Sequence, residues 1–249
     1  MIDDVHDCNS QNTCTLLNPS LNGLLKYQDL AERIVKVEEA FFSDMKYFDR
    51  LKSFPMDLIG WCDQHSVFQV PNLEFVQELA REIKEIGAEI ILEVGAGRGT
   101  ISRHISKMIH NNIILTDNYS WWNNEHNKEK IEFPDVINMN YKDAIEKYKP
   151  DLIIASWIPS KAYWTKDFRE CPSAKGYIII GEDRGGCTGS EEDWNTHWSI
   201  KNLKNVEKYG ICKTDHGFSI KDGTFRTFRI SHTRVTYFER PRKEEYDWT

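Results

Sequence analysis

Glu89-Ile90-Ile91-Leu92-Glu93-Val94-Gly95-Ala96-Gly97-Arg98-Gly99-Thr100 decides the fold of this 249-residue chain. A short, mostly branched apolar run, too brief to be buried as a helix, leads into three glycines on alternate positions, and a helical pattern begins at Ile101. The order is strand, tight turn, helix. Each glycine has a reason to lack a side chain: one allows positive φ, one lets a ligand approach the backbone, and one lets the helix pack close to the strand. The new helix then directs its free N–H groups and the positive end of its dipole at whatever fills the gap.

Spacing separates two kinds of ligand for such a turn. A dinucleotide site reads G-x-G-x-x-G/A and would need Gly or Ala where the chain has Thr100. Glu93 to Gly99 reads E-x-G-x-G-x-G instead. This resembles motif I of the class I S-adenosylmethionine (SAM)-dependent methyltransferases, in which the acidic residue sits near the methionine end of the cofactor and the glycine loop passes beneath it. The resemblance extends over roughly residues 72 to 240. It implies an α/β fold with a doubly wound, mostly parallel seven-stranded sheet, a C-terminal antiparallel hairpin and an N-terminal helical extension. It also implies SAM as cofactor, with Glu93, Gly95, Ala96, Gly97 and Gly99 in its site. An unrelated Rossmann-like domain is the plainer alternative.

Composition narrows the partners. The formal charge of −7 disfavours nucleic acid as a partner, since a phosphate backbone is held by basic surface. No apolar run approaches the roughly 18 residues needed to span a bilayer, and Met1-Ile2-Asp3-Asp4 is acidic where a signal peptide is basic, so a soluble cytoplasmic protein is expected. Six cysteines without a CxxC pair read as free thiols, and no metal site is expected; Cys62 with His65, or Cys212 with His216, lacks the context of a zinc site.

Three regions follow: a flexible tail over 1–20, a helical extension or lid over 21–71, and the main domain over 72–249. Pro71-Asn72 opens a helix whose apolar stripe (Leu73, Val76, Leu79, Ala80, Ile83, Ile86) stops at Gly87. Further strands are expected at 113–116, 136–139, 151–156 and 177–180, with a short helix over 144–148 capped by Asp143. Residues 209–213 and 225–238 read as a closing antiparallel hairpin.

Asp117 ends the second strand about 20 residues beyond the turn, where it can accept hydrogen bonds from both hydroxyls of a ribose. Asn118, Asn140, Tyr141 and Ser156 follow neighbouring strand ends and join it as candidate cofactor contacts. Six of the eight tryptophans fall in loops at that end of the sheet: Trp121, Trp122, Trp157, Trp164, Trp194 and Trp198. They read either as loop packing or as an aromatic pocket. In the second case Trp157, Tyr163, Trp164, Asp183, Trp194 and Trp198 bind the substrate, with Trp194, His197 and Trp198 on one helical face. His197 or His216 suits a general base, and Glu182 or Asp183 serves instead as base or amine-orienting group. Ser156-Trp157-Ile158-Pro159 lacks the Asn/Asp-Pro-Pro-Tyr sequence of DNA and protein-glutamine amino methylases, which leaves a small-molecule or peptide-like acceptor. The competing class is a scaffold that keeps the fold without turnover.

Overall fold

The computed structural model describes residues 24, 26–30, 62, 67–120, 133–183, 186–221, 224–230 and 232–241, with backbone only for 216–221 and 224–230. Trp121, Trp122, the side chain of His216, the tail expected over 1–20 and most of the extension expected over 21–71 lie outside the described residues.

Helix α1, Leu73–Ile86, starts where the Asn72 side chain accepts the Phe75 N–H at 3.0 Å and stops at Gly87. It buries Val76, Leu79, Ala80 and Ile83 of the stripe read from the sequence, with Phe75 added, while Leu73 and Ile86 are only partly buried against the same core. After it come β1 (Ile90–Val94), α2 (Thr100–Ser106), β2 (Asn112–Asp117), β3 (Ile137–Asn138), α3 (Tyr141–Tyr148), β4 (Leu152–Ser156), α4 (Thr165–Glu170) and β5 (Gly176–Gly181). The chain then runs through α5 (Glu191–Trp194), β6 (Ser199–Asn202), α6 (Lys204–Glu207), β7 (His216–Lys221), β8 (Thr224–Ile230) and β9 (Arg234–Glu239).

Seven strands form one sheet in the order β3-β2-β1-β4-β5-β9-β6, parallel from β3 to β5 and antiparallel at β9. The central strands are apolar along their length because both faces are covered. On one face Ile91, Ile154, Ile178, Ile180 and Val235 pack against α1 and α2. On the other, Leu92, Val94, Ile153, Ala155, Tyr177 and Phe238 pack against α3 and α4. Alternation along each strand sends neighbours to opposite cores. Among the described residues no helix is long and apolar enough to cross a membrane.

Three expectations need correction. The partner of β9 at the sheet edge is Ser199–Asn202, not 209–213, which forms only an isolated bridge through Cys212 to Gln69. All four residues of β6 are exposed, so the strand contributes backbone and a lysine to the edge and leaves no apolar alternation to read. The run read as one strand over 225–238 is two: β8 pairs with β7 in a separate sheet, and buried Thr233, bonded through its hydroxyl to Gln69 at 3.2 Å, precedes β9. Helix α3 begins at Tyr141, capped by Asn140 accepting the Lys142 N–H at 3.0 Å, not at Ala144 capped by Asp143.

Candidate ligand-binding cleft

The turn after β1 has the backbone that its glycines permit. Gly95, Gly97 and Gly99 all lie in the left-handed region, at φ 62°, 55° and 65°. A Cβ on Gly99 would stand 2.7 Å from Leu115 of β2, so this glycine sets how closely the turn approaches the sheet. A Cβ on Gly95 would stand 2.9 Å from the Trp164 ring, which therefore rests on the turn itself. The turn is tied to β2 by Ala96 N–H to Thr116 O at 3.0 Å and Gly97 N–H to an Asp117 carboxylate oxygen at 2.8 Å. The other Asp117 oxygen accepts the Tyr119 N–H at 2.6 Å.

Beyond these strand ends, between the loops after β1 and β4 where the strand order reverses, lies a cleft of about 320 Å³. Glu93, the glycine turn, Asp117 and Asn118 line one part; Ser156 to Ser160, Trp164, Cys187 and Val67 to Gln69 line the rest. The cleft thus brings together Glu93, Gly95, Ala96, Gly97, Asp117, Asn118, Ser156, Trp157 and Trp164 from the residues singled out in the sequence.

Glu93 is 2% exposed, and its Oε2 meets no hydrogen-bond partner among the described residues. Burial pushes its carboxyl up to about 7; nearby Asp117 adds to the shift, while Ser102 and Arg103 oppose it. Trp157, directly after β4, takes φ 57°, rare for a bulky residue, and its ring stacks on Phe68 at 5.8 Å. Its indole N–H is buried and meets no acceptor among the described residues.

Other expected site residues stand elsewhere. Asn140 is an exposed helix cap. Tyr141 stacks on Trp164 at 4.6 Å and donates its hydroxyl to Asp167 at 2.7 Å, so it backs the cleft wall without lining it. Trp194, His197 and Trp198 do not share a helical face, because α5 ends at Trp194 and Asn195 is extended. His197 is exposed, Trp194 donates to Thr188 O at 3.0 Å, and Trp198 is buried against Tyr177 beneath the Arg240 guanidinium. Tyr163 is 41% exposed and accepts from Arg169 at 2.6 Å. Asp183 lies 3.8 Å from Arg234.

Glu182 is a hub. Its carboxylate accepts the Thr214 hydroxyl and the Cys187 N–H at 3.1 Å, and it stands 3.2 Å from His232 Nδ1. Burial works to raise its pKa, but the bonds from Thr214 and Cys187 outweigh it and hold the carboxyl below its ordinary value. Such a group fixes loops and is poorly placed to take a proton. His232, Phe68, Gln69 and Cys187 were not singled out in the sequence. None sits in a motif, and only the fold brings 67–69 and 187 to the same cleft.

No protein-family model and no curated protein matches the chain. Among solved structures it is similar to human N-acetylserotonin methyltransferase in complex with SAM, at 10% identity over 67% of this chain and 52% of that one, with a TM-score of 0.38. The chain spans about half the length of that protein. It is similar also to the methyltransferase domain of bacterial CtHen1-CN, at 14% identity over 67% of this chain and 98% of that one, TM-score 0.35. A third is precorrin 8w decarboxylase from Methanobacterium thermoautotrophicum, at 11% identity over 66% and 90%, TM-score 0.33. Overlaps this loose assign no reaction. The strand order, with β9 antiparallel beside the edge and a glycine turn closing β1, is a doubly wound, Rossmann-like α/β fold, as the sequence led one to expect.

Proposed function

We propose that the chain is a SAM-dependent methyltransferase acting on a small-molecule or peptide-like acceptor. The observation that carries this reading is the pair of acids in one cleft: Glu93, buried with an oxygen that meets no donor among the described residues, and Asp117 at the end of the next strand. A buried carboxylate without a partner favours a cation. SAM offers an ammonium for Glu93 and a ribose diol for Asp117, whose oxygens retain lone pairs after accepting Gly97 and Tyr119. The pyrophosphate of a dinucleotide would instead set further negative charge beside two acids.

SAM supplies a methyl group on a sulfonium that is already electrophilic, so the protein's part is alignment and exclusion of water. Glu93 and Asp117 hold the two polar ends of the ligand, and the glycine turn leaves its backbone approachable. Phe68, Trp157, Ile158 and Trp164 supply apolar wall that keeps water from the acceptor. Glu182 positions the Cys187 segment of the wall through its bond to the Cys187 N–H.

Calorimetric titration with SAM, its demethylated product S-adenosylhomocysteine, and NAD tests the cofactor. Heat with either of the first two is expected; binding of NAD alone overturns the reading. A second reading, a scaffold that binds the cofactor without turnover, draws support from the part of the wall left for an acceptor once Glu93 and Asp117 are given to the cofactor, because Phe68, Trp157 to Ser160 and Cys187 include no carboxylate or imidazole. Incubation with methyl-labelled SAM and host extract separates the two, because only an enzyme transfers label to an acceptor.

A further inference from the structure

Gly95 leaves room for a ring. The indole of Trp164 lies on the turn there, with Cζ3 and Cη2 of its six-membered ring 2.9 and 3.0 Å from where a Cβ would stand. The ring is held in place from behind. Tyr141 stacks on it at 4.6 Å with 18° between the planes, and the Tyr141 hydroxyl is fixed on Asp167. The start of α4, directly after Trp164, is fixed by Thr165 N–H to an Asp193 carboxylate oxygen at 2.9 Å. Trp164 is half-buried and lines the cleft, whereas Tyr141 does not line it, so the ring surface presented there is what Tyr141 leaves uncovered.

Position along the turn decides what meets that ring. With the ammonium of SAM at Glu93 and its ribose at Asp117, the ribose end is next to Gly97, whose N–H is bonded to Asp117 at 2.8 Å. The sulfonium lies between the ammonium and the ribose in SAM, as Gly95 lies between Glu93 and Gly97 in the turn. A sulfonium has no N–H or O–H to donate, and the two carboxylates of the described lining, Glu93 and Asp117, are already matched to other groups of the ligand. An aromatic ring attracts a cation without needing a hydrogen from it. Resting on the methyltransferase reading above, we infer that Trp164 is a cofactor residue and not an acceptor residue: its ring holds the sulfonium by cation–π attraction and makes the site prefer SAM to S-adenosylhomocysteine. When the acceptor's lone pair bonds to the methyl carbon, the C–S electron pair stays on sulfur and the positive charge passes to the acceptor. The thioether that remains is neutral, so the attraction at Trp164 is lost and the product is held less tightly than the substrate.

The test is the ratio of the SAM and S-adenosylhomocysteine dissociation constants, measured by calorimetry at one pH on protein whose tryptophans carry none, one, two or three ring fluorines. Fluorine weakens the pull of a ring on a cation while nearly keeping its shape. Trp164→Phe, prepared in the same series, is the control for all the other tryptophans and keeps a ring against Tyr141. In wild type the affinity for SAM should fall stepwise with fluorination, roughly three- to tenfold across the series, while that for S-adenosylhomocysteine holds steady. In Trp164→Phe the ratio should not vary across the series. A constant ratio in wild type overturns the inference, and so does an equal trend in the two proteins, which would assign the effect to another tryptophan. In either case, binding of both ligands leaves the cofactor reading standing. If neither ligand binds, that reading falls and the role of Trp164 falls with it.

Discussion

Glu93 makes neutrality a working point for this protein. Its carboxyl ionises near 4.5 in an unfolded chain and near 7 when folded. Between those values the folded state holds a proton that the unfolded state has released, so stability falls as pH rises, by about 1.4 kcal/mol per unit and about 3 kcal/mol in all. Glu93→Gln should flatten that slope and leave the variant more stable than wild type at pH 8, measured by urea unfolding at pH 5 and pH 8, while weakening SAM. An equal slope in both proteins would show that another group titrates. Asp117 calls for a different pair of variants, because it holds the glycine turn as well as facing the cleft. Asp117→Ala frees the Gly97 and Tyr119 N–H groups and should cost about 1 to 3 kcal/mol of stability. Asp117→Asn keeps one acceptor oxygen, should stay closer to wild type in stability, and should still weaken S-adenosylhomocysteine by about tenfold, or about 1.4 kcal/mol. Unchanged affinity in the Asn variant would remove Asp117 from the ribose site.

At the scale of elements, legibility followed burial. Helix α1 and strands β1, β4 and β5 could be read because each has a period fixed by a covered face, 3.6 for the helix and continuous apolarity for the strands. Strand β6 could not, since an edge strand exposed at all four positions has no pattern to offer. The site divided in the same way. Glu93, the glycines and Asp117 could be placed because they sit at fixed offsets from strand ends, whereas the tryptophans could be assigned only to loops, and Trp198 proved to be core while Trp157 and Trp164 line the cleft. The segment 67–70 escaped notice because its ties are long-range: Val70 N–H to Ile211 O at 2.8 Å, the Gln69 amide to Ile211 O at 2.9 Å, and Thr233 to the other end of the Gln69 amide. Gln69 is 2% exposed, so Gln69→Ala should cost about 1 to 3 kcal/mol through the groups left unpaired. It should also loosen Phe68, which stacks on Trp157, and protease sensitivity near residue 68 should rise well before global unfolding. Digestion no faster than wild type would mean that the strap does not depend on Gln69.

For the molecule as a whole, the cleft joins segments that the sequence keeps far apart, the glycine turn at 95–99, the loop at 156–160, the strap at 67–69 and Cys187. A ligand that touches all of them binds only the folded chain, so at 100 times its Kd it should add about 2.7 kcal/mol to stability. For a chain of this size that corresponds to a rise in Tm of roughly 5 to 10 °C. The pH dependence of this rise distinguishes ligand chemistry from general stabilisation. Glu93 must ionise to meet an ammonium, so below about 7 binding carries the cost of removing a proton, and affinity for S-adenosylhomocysteine should strengthen as pH rises from 5.5 to 7 and level off above it. Wild-type protein should release a proton on binding in that window, seen as a calorimetric heat that varies with buffer ionisation enthalpy, and Glu93→Gln should not. A Tm rise that is the same at pH 5.5 and 7.5, with no buffer-dependent heat, would mean that the cation in the ligand does not sit at Glu93, and the pair of acids would lose its claim on the amino-acid end of SAM.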